Sequence, residues 1–254
     1  MLIALDIGNS SINIGFFTES GLFVQKIDTH PLLAPLKYSA LLNRFIKEKD
    51  IDKRPEGIII SSVVPGHTGA LRKALKNLMS AEPLIMGPDV VTGLKYRIPN
   101  PGELGPDRIA NAVAAYELFK RPVAAVDFGT ATTISVVGED AQYIGGAIMP
   151  GVLLMNTALA SGTSRLFKVP LKPPDAALGT DTMKCIQAGL FYGTAGAVER
   201  LLIEIEKESG MRLEIVVTGG FGGMLSRFIK KTHEVMPHLT LEGLKTIWMR
   251  NKYA

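Results

Sequence analysis

Two copies of one short pattern constrain this chain more than any bulk property. The pattern is Asp-x-Gly followed by small amide or hydroxyl residues, set between apolar runs. It occurs as "LDIGNSSINIGFF" at 5–17 and again as "VDFGTATTISVV" at 126–137. Asp6 answers to Asp127, Gly8 to Gly129, Asn9 to Thr130 and Ser11 to Thr132, at one constant offset close to half of the 254 residues. Each copy reads strand, glycine turn, strand. Repetition at half-length predicts two related halves, 1–119 and 120–254, in an α/β chain.

The chemistry available to such a hairpin is narrow. Glycine permits a tight turn and close approach to its backbone N–H. Successive N–H groups in a turn form an anion-binding nest. The stretch Asp6, Ile7, Gly8, Asn9, Ser10, Ser11, Ile12, Asn13 thus offers a phosphate cradle without a lysine, as does the turn holding Thr130. An aspartate repels phosphate. It is better placed to hold Mg²⁺ through water, since Mg²⁺ prefers oxygen ligands and keeps several waters. Two such hairpins facing each other would clamp a polyphosphate from both sides. Two plain hairpins with glycine turns are the competing reading. Other nucleotide signatures are missing: there is no G-x-x-x-x-G-K-[S/T], and "GGFGG" at 219–223 does not satisfy G-x-G-x-x-G. "TGG" at 218–220 reads equally as a nucleotide contact or as a strand-to-helix turn.

Strands are expected at 2–5, 12–17, 22–27, 57–64 and 214–220, and helices at 39–49, 70–79, 108–119 and from about 181 to 208, with a terminal helical stretch. Pro65 ends the fourth strand. The Gly- and Pro-rich segment 86–108 is the longest loop candidate, and long loops in compact proteins are usually functional. The run "GVLLMNTAL" at 151–159 is apolar on most of its circumference, so it is either fully buried or shared with a partner chain.

A net charge of +4 with scattered basic residues lacks the aromatic interleaving of single-strand binders, so nucleic acid is not expected as a partner. The only cysteine, Cys185, excludes an intrachain disulfide and reads as a buried, inert thiol on a helix. The four histidines form no metal-ligand spacing. Asp6 interrupts the first apolar run and no charged segment precedes it, and no apolar stretch reaches about 18 residues. No membrane span is expected, and the location expected is cytoplasmic.

The paired hairpins resemble those of the acetate and sugar kinase, Hsp70 and actin superfamily. The segment "PGELGPDRIANAVAA" at 101–115 looks like the signature of the type III pantothenate kinases, and "GGAIMPG", "LGTDT", "AGLFYGTAGAVERLL", "VTGGFG" and "HLTLEGL" follow in that family's order. The resemblance covers essentially the whole chain. It implies two ribonuclease-H-like halves with a nucleotide cleft between them. It further implies ATP-dependent phosphorylation of pantothenate to 4'-phosphopantothenate, the first step of coenzyme A biosynthesis. Asp107 falls at the general base. Gly105, Pro106, Asp107, Arg108 and Thr182 fall at pantothenate contacts, and Asp6 to Asn13 and Thr130 at nucleotide contacts. Asp127 falls at a ligand for a monovalent cation, K⁺ or NH₄⁺. The family's members are homodimers with the substrate pocket at the subunit interface.

Read from the residues alone, Asp107 is also a helix-capping acid. Pro106 stands where many relatives carry alanine, Ile98 where a tyrosine is common, and Ser135 where an acid often follows the second hairpin. A sugar kinase would share the fold and an aspartate base, and a nucleotide-gated binding module would share the fold without one.

Overall fold

A computed structural model describes residues 1–49, 51, 55–79 and 82–253. The chain divides into two compact units, 1–93 with 100–114 and 239–254, and 94–99 with 115–238.

In the first unit, β1 (Leu2–Ile7), β2 (Ser11–Thr18) and β3 (Gly21–Asp28) form an antiparallel meander. α1 (Pro35–Glu48) leads to β4 (Gly57–Ser62), which lies parallel to β1, and α2 (Pro65–Met79) leads to the short β5 (Leu84–Ile85), giving the sheet order β3-β2-β1-β4-β5. β4 stops at Ser62, short of the expected end at Pro65, and Pro65 instead opens α2, because its fixed φ suits the first helical position and its missing N–H would be unpaired there in any case. Alternation along the strands separates the two faces. Ile3, Leu5, Ile7, Ile12, Ile14, Phe16, Ile58 and Ile60 pack with Tyr38, Leu42, Phe45, Leu71 and Leu75 of α1 and α2. The opposite face is built of small residues where the terminal helix crosses it: a Cβ on Gly57 would lie 2.1 Å from Trp248, and one on Gly15 3.0 Å from Leu241.

The second unit repeats this plan. β6 (Lys95–Tyr96) is an edge strand, and α3 (Pro106–Phe119) precedes β7 (Val123–Phe128), β8 (Ala131–Val137) and β9 (Gln142–Pro150). α4 (Val152–Gly162) and α5 (Thr182–Ser209) lead to β10 (Glu214–Thr218), α6 (Gly222–Leu225), β11 (Glu234–Val235) and finally α7 (Leu239–Asn251), which belongs to the first unit. The order β11-β10-β7-β8-β9-β6 matches the first sheet strand for strand, with β7 in the place of β1, β10 in that of β4 and β6 added at the edge. Its core sets Val126, Phe128, Ile134 and Val217 against Leu190, Phe191, Val198 and Leu202 of α5.

One expectation is corrected here, and one of two alternatives is removed. Cys185 is exposed, not buried: it lies one helical turn before Gly189 and two before Gly193, on the uncovered face of α5, while Ile186, Leu190 and Phe191 carry the burial. α4 is not buried on all sides either, since Leu153 and Leu154 are 47% and 51% exposed. Among the described residues, no helix is long and apolar enough to cross a membrane.

Candidate active site

The first hairpin places Asp6 opposite Asn13, and Asp6 level with Ser61 on β4, so the three side chains stand in one row on the same face. Ser61 is fully buried and its Oγ donates to Asp6 Oδ1 at 3.2 Å. The turn closes through Gly8 N–H to the Ser11 carbonyl at 3.0 Å. Buried Thr29 braces it from beyond β3: its hydroxyl donates to the Gly8 carbonyl at 2.7 Å, and its N–H to the Ser10 carbonyl. Asn9 and Ser10 are exposed at the tip, whereas the side chains of Ile7 and Ile12 are buried in the core, leaving only their backbone to face a ligand.

The second hairpin is one residue shorter. Asp127 pairs with Thr133 and Phe128 with Thr132, where Asp6 pairs with Asn13 and Ile7 with Ile12. The constant offset therefore fails after the turn. Thr132 answers to Ile12, not to Ser11, and it shares Ile12's buried position, where its Oγ1 has no hydrogen-bond partner among the described residues. Gly129 N–H closes this turn onto Ala131, and Gly151 N–H donates to the Thr130 carbonyl at 3.1 Å. The Asp127 carboxylate sits in a cradle with no room for side chains. A Cβ on Gly219, whose φ of +92° suits only glycine, would lie 2.3 Å from Asp127 Oδ1, and one on Gly151 would lie 2.3 Å from the Gly129 carbonyl. Thr218 on β10, 2% exposed, stands level with Asp127.

The segment read as a long loop is partly ordered. Residues Lys95–Tyr96 pair with β9, Pro101–Glu103 form a single helical turn, and α3 begins at Pro106. Gly105 immediately precedes the helix, Pro106 opens it, and Asp107 lies in its first turn beside Arg108. The Asp107 carboxylate folds back over Gly105, where a Cβ would lie 2.5 Å from its Oδ1. Among the described residues it takes part in no hydrogen bond or ion pair. Behind it, buried Asn111 accepts a hydrogen bond from Thr240 of α7 at 2.8 Å, and Gly243 lets α7 approach the Ala110 carbonyl.

Thr182 is the exposed first residue of α5, capped by Asp181, whose side chain accepts from Lys184 N–H at 2.8 Å. It lines an apolar groove of about 970 Å³ between α4 and α5, with Met155, Leu159, Leu166, Cys185 and Leu190.

A model of the type III pantothenate kinase family matches residues 2–204. The chain is 37% identical over 253 residues to the type III pantothenate kinase of Moorella thermoacetica, covering 99% of this chain and 100% of the relative. The chain belongs to the type III pantothenate kinase family. The enzyme of that name from Geotalea daltonii is 36% identical over 254 residues, covering 99% of each chain. The activator of 2-hydroxyisocaproyl-CoA dehydratase from Clostridium difficile, solved with bound ADPNP, shares the fold with a TM-score of 0.58 at 11% identity, covering 99% of this chain and 95% of that one. The fold is that of the acetate and sugar kinase, Hsp70 and actin superfamily. No motif read from the sequence contains Ser61 or Thr29, whereas Thr218 and Asn111 fall inside the "TGG" and 101–115 motifs. A serine breaking the isoleucine run "GIIISS" was the available sign for Ser61.

Proposed function

We infer that this chain transfers the γ-phosphoryl group of ATP to the primary hydroxyl of pantothenate, giving 4'-phosphopantothenate and ADP at the entry to coenzyme A synthesis. Full-length identity of 37% to a curated type III pantothenate kinase carries this reading, and the Gly105–Arg108 turn supports it. Phosphoryl transfer asks a protein for positioning and charge neutralisation more than for covalent help. Asp107 accepts the hydroxyl proton as the new P–O bond forms and the bond to the β-bridging oxygen breaks. It stands in the first turn of α3, next to Arg108. Arg108, Gly105, Pro106 and Thr182 are assigned to pantothenate. The backbone and short side chains of Asp6 to Asn13, and Thr130, are assigned to the nucleotide.

Two cations belong to the same proposal. Asp6, with Asn13 level beside it, presents oxygen donors of the kind Mg²⁺ takes, and among the described residues no cluster of three acidic, cysteine or histidine side chains is gathered for a metal. That suits an ion held by one carboxylate, water and substrate phosphates. When bound, Mg²⁺ neutralises the phosphate charge. The Asp127 carboxylate, with Gly219 packed against its Oδ1, is a hard oxygen donor of the kind K⁺ or NH₄⁺ takes. We also assign the chain to a homodimer, supported by the uncovered apolar face of α4, and to the cytoplasm.

The deciding experiment supplies ATP and Mg²⁺ with pantothenate and a panel of sugars, and follows ADP release. Turnover with pantothenate alone is expected. In Asp107→Asn, which keeps size and polarity, turnover should fall about 10²-fold with folding intact. Turnover with a sugar and not with pantothenate would overturn the assignment.

A further inference from the structure

We propose that Ser61 is a positioning residue whose buried hydroxyl fixes the orientation of the Asp6 carboxylate. This rests on the reading of Asp6 as the acid that holds water-bound Mg²⁺ at the nucleotide. β4 runs Gly-Ile-Ile-Ile-Ser-Ser, and Ile58, Ile59 and Ile60 are all buried. Continuing that run with another β-branched apolar residue would suit a central strand better than serine does. Serine interrupts it at the position level with Asp6, is 0% exposed, and aims its hydroxyl at the carboxylate, 3.2 Å away. Burying a hydroxyl costs free energy unless it is hydrogen-bonded, and here its partner is the acid at the hairpin.

The arrangement recurs in the second sheet. β10 takes the place of β4 beside β7, and its run Ile215, Val216, Val217 is broken by Thr218, 2% exposed, level with Asp127. A hydroxyl therefore stands beside the hairpin acid in both units, on strands otherwise apolar at that depth. Thr29 works on different atoms, since it holds the Gly8 carbonyl and so the turn backbone. Ser61 acts on the carboxylate, limiting its rotation and keeping one oxygen turned toward β4.

The test compares Ser61→Ala, Ser61→Thr, Ser61→Cys and Asp6→Asn. Three quantities are read: thermal unfolding, the Mg²⁺ concentration giving half-maximal rate, and Mn²⁺ binding to the enzyme with ADP, measured by electron paramagnetic resonance without turnover. Groups that orient metal-binding carboxylates typically change metal affinity by about tenfold or more when removed. Ser61→Ala should unfold cooperatively, raise the Mg²⁺ requirement by about that factor, weaken Mn²⁺ binding in parallel, and leave the KM for pantothenate unchanged. Ser61→Thr should restore both metal readouts. Should the alanine variant not fold, Ser61→Cys, nearly isosteric but a weak donor, must show the same shifts. A Ser61→Ala or Ser61→Cys variant that changes only the unfolding temperature overturns the proposal, and so does a metal defect that threonine does not repair. An inactive Asp6→Asn beside an unaltered Ser61→Ala overturns the role of Ser61 alone. An Asp6→Asn enzyme with the parent's rate and metal dependence overturns the reading of Asp6 and this proposal with it.

Discussion

Thr240 Oγ1 donates to Asn111 Oδ1 at 2.8 Å, tying the first turns of α7 to α3 across 129 residues of sequence. Asn111 is 2% exposed and lies one turn beyond Asp107 on the same helix. The bond therefore helps set the seat of the helix that carries the assigned base. Thr240→Val keeps the shape and removes this donor, which costs about 0.5–1.5 kcal/mol for a typical hydrogen bond. Urea denaturation should show that loss with an unchanged m-value. Turnover should fall by less than in Asp107→Asn. A valine variant with the parent's stability would remove the bond from the account.

A second prediction concerns acid. His67 is 2% exposed on α2, with its Nδ1 2.6 Å from the Tyr38 hydroxyl and its ring edge-on to that of His30. Burial first, and the charge of His30 second, hold its pKa below the ordinary value of 6.5. A base with a lowered folded pKa binds fewer protons in the native state than when unfolded. Its stability contribution is complete above about pH 6.5 and is lost as the pH falls below that value toward the folded pKa. Denaturation midpoints measured between pH 7.5 and 5 should decline, and His67→Gln should flatten that decline while lowering the plateau. A parallel decline in the variant would place the acid sensitivity elsewhere.

The hairpins were legible because few residue types satisfy their demands: a glycine turn, an acid one position before the last strand residue, and small donors beyond. Their internal correspondence was not. Ser11 and Thr132 are both hydroxyl residues, so a turn shortened by one residue leaves the motif match intact and appears only in the strand register. Apolar periodicity likewise reported that α4 and α5 are hydrophobic without reporting what covers them. Leu153, Leu154 and Cys185 differ from Val152 and Ile186 only in helical phase relative to a sheet the sequence does not display. Gly15, Gly57 and Gly243 escaped notice for a related reason: each is required by a helix packed on it from far along the chain.

A third prediction follows from the cradle around Asp127. If its carboxylate holds a monovalent cation, exchanging Na⁺ for K⁺ or NH₄⁺ at constant ionic strength should raise the rate steeply. Asp127→Ala should abolish that dependence along with most activity. Gly219→Ala should act through the same site, since its Cβ would press on Asp127 Oδ1 and its φ of +92° disfavours alanine. Rates indifferent to the ion's identity in the parent enzyme would remove the cation from Asp127.

The last prediction concerns assembly. Leu153 and Leu154 stand exposed on α4, and beyond them Met155, Leu159 and Leu166 line the apolar groove shared with α5. On α5 the same side carries Gly189 and Gly193, where an added Cβ would meet nothing within 4 Å. Large apolar side chains left exposed on a helix that also lines an apolar groove mark an association face. A second copy of the chain can cover it isologously, each α4 meeting the same surface of its partner. Sedimentation equilibrium at micromolar concentration should report twice the chain mass. Leu154→Arg places a charge on that face without disturbing the core, because the side chain points outward. It should shift the molecule to a monomer that retains its helical circular dichroism. A parent enzyme that sediments as a monomer would defeat the homodimer. A Leu154→Arg variant that stays dimeric would move the interface to another surface.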